Sequence, residues 1–305
     1  MSLVSFIKGR RGASGFGYAS TAEEVTEGLD LSGKTALITG INSGLGRETG
    51  RVLSLRGATI LGAARTAEKA EEACAQLADA VPLVCELSEP DSVRACVRAV
   101  EETGREIDML ICNAGIMALP KRTVKHGQEL QFLTNHIGHF LLVTGLLDRL
   151  APAGRVVMLS SKAHDWAPKS GIQFDDLSFE RGYSANRAYG QSKLANLLFA
   201  RSLSRRFEGT AQTANALHPG VIQTNLGRHL PGIAQSLFGV VSVIALKSIP
   251  QGAATQCYVA THPSLEGVSG EYFSDCNVAR SSALGRDEAL GDRLWQVTEE
   301  IIGGL

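Results

Sequence analysis

Tyr189 and Lys193 stand four residues apart, a spacing that puts both side chains on one face of a helix. A phenol with an ordinary pKa of about 10 is a poor acid or base near neutral pH. Lowering it by about two to three units takes about 3–4 kcal/mol, and a cation about 4 Å away at an effective dielectric near 20 supplies that. The same spacing also marks any solvent-facing helix, so the weight falls on the neighbours. Ser160-Ser161 follow the apolar run Val156–Leu159, and Asn113-Ala114-Gly115 follow Met109–Cys112. Asn135 is a polar amide inside an apolar stretch, and His218-Pro219-Gly220, with Thr224, closes a later run. Each item alone reads as a capped strand end, a satisfied core amide or a proline turn. In this order they describe one site at the carboxyl ends of strands, where open α/β sheets bind ligands.

A second constellation lies upstream. The run Thr35–Thr39 leads into Gly40-Ile41-Asn42-Ser43-Gly44-Leu45-Gly46 and then a helical pattern. Glycines at 40, 44 and 46 allow a tight turn and close backbone approach, so that a pyrophosphate can sit on the helix N-terminus. Leu45 and Gly46 stand where a nucleoside-triphosphate loop requires Gly and Lys, so a dinucleotide is favoured. At the end of the next strand, Gly62-Ala63-Ala64-Arg65 carries no carboxylate to accept from a ribose 2′-hydroxyl. Arg65 suits a 2′-phosphate instead. One charged hydrogen bond contributes about 1.5–3 kcal/mol, a roughly ten- to hundredfold preference for NADP(H).

The elements that must position these residues alternate. Strands are expected at Thr35–Thr39, Ala58–Ala63, Val81–Cys85, Met109–Cys112, Arg155–Leu159, Thr213–Leu217 and Gly270–Phe273. Helices are expected between them, among them Gly46–Arg56, Asp91–Thr103, Gln131–Leu150 and Arg187–Phe207. Strands that are apolar throughout imply a parallel sheet covered on both faces, so the fold class is α/β, a single Rossmann-like doubly wound sheet of about seven strands. Residues 1–32 read as an extension, with a short helix whose capping box pairs Ser20 with Glu23, and residues 33–305 as one dinucleotide-binding catalytic domain. Within it, roughly 225–250 forms a substrate-covering segment.

Composition narrows the class further. With 30 Lys+Arg against 31 Asp+Glu the net charge is −1, which lacks the cationic surplus that nucleic acid requires. Hydrophobic residues at 44% and charged residues at 20% are globular values. The six cysteines form no CxxC pair and lie in apolar stretches, pointing to buried free thiols and a cytoplasmic location. The longest apolar run, Leu237–Leu246, is about half a membrane span, so no transmembrane segment is expected. His136 and His139 lack a third ligand in sequence, so no metal is assigned. Ser161, His164 and Asp165 crowd one segment and no Gly-x-Ser-x-Gly elbow occurs, which argues against a hydrolase.

From about residue 33 to 280 the chain resembles the short-chain dehydrogenase/reductases. Within them it is similar to the branch of retinol dehydrogenases, WW-domain oxidoreductases and Tic32-like proteins. Asn135-His136-Ile137-Gly138-His139-Phe140, Ser160-Ser161-Lys162-Ala163-His164, Ser192-Lys193-Leu194-Ala195-Asn196, His218-Pro219-Gly220-Val221 and Ser20-Thr21-Ala22-Glu23-Glu24-Val25 carry the closer likeness. The resemblance implies that Tyr189 is the acid/base, that Lys193 lowers its pKa and holds the nicotinamide ribose, and that Ser161 binds the substrate oxygen. Asn135 would place a water linking Lys193 to solvent. Gly40, Ser43, Gly44, Leu45 and Gly46 would line the pyrophosphate. Asn113, Ala114 and Gly115 would lie along the adenine ribose, and Pro219, Gly220 and Thr224 beside the carboxamide. Glu86-Leu87 stand where the family commonly has an Asp contacting adenine, Cys112 replaces a frequent Asn, and the stretch 162–188 is long, with Trp166, Phe174, Phe179 and Tyr183 forming part of a substrate wall. The apolar segment after Thr224 points to a hydrophobic alcohol, aldehyde or ketone, and the resemblance implies a homodimer or homotetramer. The rival reading is a dinucleotide-binding scaffold or regulatory protein; such proteins usually lose the Tyr or Lys, and both are present here.

Overall fold

The computed structural model describes residue 9, residues 11–222 and residues 246–305. Ten strands fall in the order β1 Thr35–Thr39, β2 Thr59–Ala64, β3 Ala80–Val84, β4 Ile107–Cys112, β5 Val124–Lys125, β6 Gln128–Glu129, β7 Leu150–Leu159, β8 Thr213–His218, β9 Tyr272–Ser274 and β10 Asn277–Val278. Eight of them form one sheet in the order β10-β9-β8-β7-β4-β1-β2-β3, and β5–β6 is a separate hairpin. Seven of the eight are parallel, as expected, and β10 folds back antiparallel on β9 through a turn too short to be read as a strand connection.

Local composition accounts for the pattern. β1 and β2 are buried at every position because helices cover both faces. β3 is the sheet edge, where Pro82 costs no ladder bond. The helices are α1 Ala22–Val25, α2 Gly44–Leu55, α3 Ala67–Cys74, α4 Pro90–Glu102, α5 Leu130–Phe132, α6 Gly138–Gly145, α7 Ala185–Arg206, α8 Ile249–Thr261 and α9 Glu288–Gly303. Proline opens α4 at its first turn, and α8 begins with a Ser248–Gln251 capping box.

Two expectations need correction. The single helix Gln131–Leu150 is divided: α5 passes through a π turn at Leu133–Ile137 into α6, and Leu150 already belongs to β7. Single π turns of this kind are frequent at functional sites, and this one carries Asn135. The N-terminal capping box is Thr21–Glu24, one residue later than Ser20–Glu23. Ser20 instead turns inward and accepts from Gly17 N.

The extension is built into the molecule. Ala22 and Val25 pack into the core against α8, the Phe16 ring meets Tyr258 and His262 edge-on, and the Asn277 amide accepts from Ser14 N and donates to Phe16 O. The strand order reverses between β4 and β1, so the crevice that such a sheet offers a ligand opens beyond Thr39 and Cys112.

Candidate active site

The turn after β1 is shaped by its glycines. Gly40 has a φ of +73° and Gly44 of +54°, values that favour glycine. A Cβ at Gly46 would stand 2.3 Å from Gly40 O and 2.6 Å from Asn113 Nδ2, so α2 can begin this close to the turn only with glycine there. Ser43 and Leu45 complete the first turn of α2, and a cavity of about 510 Å³ opens beside it, lined by Asn42, Ser43, Gly44 and Arg47. Thr39 locks β1 to β4: its hydroxyl accepts from Asn113 N at 2.9 Å and Ala114 N at 3.0 Å, while Asn113 Nδ2 donates to Thr39 O at 2.8 Å. Arg65 is exposed immediately beyond the tip of β2.

Beyond β7 the two serines divide. Ser160 is buried and its hydroxyl donates to Lys193 O at 2.7 Å, fixing α7 against the sheet. Ser161 accepts from Ala163 N at 3.1 Å. Gly190 lets α7 press against the Lys162–Trp166 turn, since a Cβ there would meet the Ala167 N at 2.7 Å. Lys193 is buried, and its ammonium donates to Leu159 O at 2.9 Å and lies 5.7 Å from the centre of the Tyr189 ring. Asn135 grips the loop after β4, accepting from Ile116 N at 2.8 Å and donating to Ile116 O and Ser192 Oγ, each at 2.9 Å. Gly115 lies against both groups: a Cβ there would stand 3.1 Å from Asn135 Oδ1 and 3.5 Å from Lys193 Nζ.

Tyr189, Ser161, Lys193 and Asn135 are thus brought together. The proton affinities differ from expectation: burial pushes the phenol up to about 12, with Ser161 pulling it back, and burial brings the Lys193 ammonium down to about 8. The Lys193 ammonium is turned to the Leu159 carbonyl.

Other residues fall on the rim or outside it. Gly220 has a φ of +97° and packs on the buried Lys247 chain, whose ammonium lies 2.5 Å from Asp275 Oδ1, beside Pro219. Glu86 accepts from Ser88 within its own loop, and the Leu87 carbonyl abuts Gly138, where a Cβ would stand 2.2 Å away. Thr224 and residues 226–244 of the apolar segment lie outside the described residues, as does most of the substrate-covering segment 225–250. The six cysteines are buried and free, and His136 bonds Thr298 at 3.2 Å. Among the described residues no helix is long and apolar enough to cross a membrane. Sequence reasoning missed Thr39, Ile116, Ser192 and His139; only the four-residue step from Asn135 to His139 signalled any of them.

A glycine turn over a helix N-terminus, a buried lysine and a glycine floor at 115 fit a nicotinamide dinucleotide. Residues 34–172 match the short chain dehydrogenase family model. The chain is 43% identical to the short-chain dehydrogenase TIC 32 B, chloroplastic, of Brassica napus, with all of both chains covered. It is 41% identical to human retinol dehydrogenase 14 over 90% of this chain and 88% of the relative. A crystal structure of a putative uncharacterized protein from Mycobacterium paratuberculosis superposes with a TM-score of 0.75 at 33% identity, covering 92% of this chain and 97% of that one. The chain belongs to the short-chain dehydrogenase/reductase family of oxidoreductases. Within that family it stands in the branch of the retinol dehydrogenases and the Tic32-like proteins.

Proposed function

We propose that this protein is an NADP(H)-dependent oxidoreductase that interconverts a hydrophobic alcohol and its carbonyl compound, with Tyr189 as the acid/base. The observation that carries the reading is Tyr189 and the buried Lys193 on one helix, with the ammonium 5.7 Å from the phenol ring and bonded to the Leu159 carbonyl at the strand end that leads into Ser161. A bound nicotinamide supplies or takes the hydride. Gly40, Ser43, Gly44, Leu45 and Gly46 would hold its pyrophosphate, Arg65 a 2′-phosphate, Asn113–Gly115 the ribose side, and Pro219, Gly220 and Thr224 the carboxamide. Glu86 and Leu87 would flank the adenine.

Ser161 orients the substrate oxygen toward the phenol. In reduction, the Tyr189 O–H donates its proton to that oxygen; in oxidation, the phenolate takes it back. Lys193 supplies the cation of the site, and Asn135 would place a water through which its proton is replaced from solvent. Met117, Trp166, Val221 and Ile249 are exposed apolar side chains on segments that follow the strand ends or open α8, in keeping with an apolar substrate. The name of the human relative, a retinol dehydrogenase, supports the same class. A cytoplasmic location, a homodimer or homotetramer, and a single catalytic domain over 33–305 complete the reading.

Two measurements test it. Fluorescence titration with NADPH and NADH is expected to give at least about tenfold tighter NADPH, falling to near parity in Arg65→Ala; parity in the wild type overturns the cofactor assignment. Tyr189→Phe is expected to lose turnover of a hydrophobic aldehyde by about a thousandfold or more while keeping NADPH binding. Equal turnover removes the mechanism, and no binding of either nucleotide leaves a scaffold.

A further inference from the structure

We propose that His139, oriented by Thr39 at the end of β1, is a positioning residue that holds the backbone carbonyl of Asn135, and so the frame in which Asn135 and Lys193 stand. The inference rests on Tyr189 acting as the acid/base. His139 occupies the first turn of α6 and is wholly buried. Both ring nitrogens are engaged, Nε2 with Thr39 Oγ1 and Nδ1 with Asn135 O, each at 2.9 Å.

The proton positions follow from the backbone. Thr39 Oγ1 already accepts two N–H groups, from Asn113 and Ala114. Its single proton therefore points at His139 Nε2, which must accept. The neutral ring then carries its own proton on Nδ1, and that N–H donates to the Asn135 carbonyl. Burial, with the nearby Lys193 charge, brings the His139 pKa down to about 4, so this tautomer persists throughout the neutral range.

The carbonyl it holds lies in the π turn at Leu133–Ile137. From the same residue the amide side chain grips Ile116 and Ser192, and Gly115 separates that amide from the Lys193 ammonium. A shift of the π turn is thereby a shift of the loop after β4 and of the space beside Lys193. At the other end, Thr39 immediately precedes Gly40. One imidazole thus joins the turn that would receive the phosphates to the amide beside the acid/base.

Two substitutions separate its two bonds. His139→Asn keeps a short N–H donor for the Asn135 carbonyl but falls short of Thr39. His139→Gln reaches Thr39 with an oxygen but loses the short donor. With NADPH and a hydrophobic aldehyde, His139→Gln is expected to lower kcat by about ten- to a hundredfold, with the Kd for NADPH changed less than about threefold. His139→Asn is expected to recover kcat to within about threefold of the wild type. The alkaline limb of the pH–kcat profile should move in the Gln variant and return in the Asn variant. Equal losses in both, or losses that follow only the melting temperature, overturn the inference. Should either variant fail to fold, Thr39→Val removes the hydroxyl that orients the ring and also accepts from Asn113 and Ala114, whereas Thr39→Ser keeps all three bonds. Thr39→Val is expected to lower kcat and move the same limb with Thr39→Ser like the wild type, and an unmoved limb in Thr39→Val counts against the role. Wild-type turnover that survives Tyr189→Phe defeats the underlying mechanism, whereas Tyr189-dependent turnover indifferent to His139→Gln defeats this inference alone.

Discussion

At the scale of single residues, chemical type was far more legible than state. The order of Asn113, Asn135, Ser161, Tyr189 and Lys193 along the chain located the site, because strand ends and helix faces follow from apolar periodicity. The charge state of the pair did not follow, because it depends on where one ammonium points, and Lys193 points to Leu159 O. Which of Ser160 and Ser161 faces the phenol likewise turns on the strand's last backbone step. Buried neutral histidines add a prediction at this scale. His136 and His139, brought by burial to about 3 and about 4, bind protons more readily in the unfolded chain, whose ordinary value is about 6.5. The unfolded state therefore gains protons first as pH falls. Stability is fully present above about pH 6.5 and declines toward pH 4, by up to about 1.4 kcal/mol per pH unit for each histidine. Thermal unfolding followed from pH 7.5 to 4.5 is expected to show that decline, and a flat melting temperature across the range would refute it.

At the scale of elements, all-apolar strands were read with their ends displaced by a few residues, since burial on both faces is written directly in composition. The π turn was not, because nothing in the run Gln131–Leu150 announces the lateral bonds of Asn135. Close approaches between elements are equally silent until the backbone is in place. Gly138 is an example: only the Leu87 carbonyl across from it demands glycine. Gly138→Ala is expected to force α6 away from the loop after β3 and to destabilise the fold by about 1–3 kcal/mol through overpacking. Chemical denaturation measures it, and a cost under about 0.5 kcal/mol would mean that the helix shifts freely. The extension offers a second case. Val25 is 2% exposed against the core, so Val25→Ala is expected to cost about 2 kcal/mol, lowering the melting temperature by about 3 °C.

At the scale of the whole molecule, the doubly wound sheet places the glycine turn and the tyrosine helix at the same crevice although some 140 residues separate them. That convergence was readable, since strand order in such sheets constrains where ligands bind. The path of residues 14–18 was not, because their long-range partners lie near the other end of the sequence. Ser14 bonds Asn277 across 263 positions, and the Tyr18 ring lies 5.0 Å from the Lys247 ammonium. Residues 14–18 therefore have no long-range surface to dock on until α8 and the β9–β10 hairpin exist. Loop closure over such a span is slow compared with local contacts. Refolding should accordingly end in a late phase in which the amides of residues 14–17 gain protection from hydrogen exchange after those of β1 and β4. On the ribosome, residues 14–18 would wait without these long-range partners until residues 258–277 emerge.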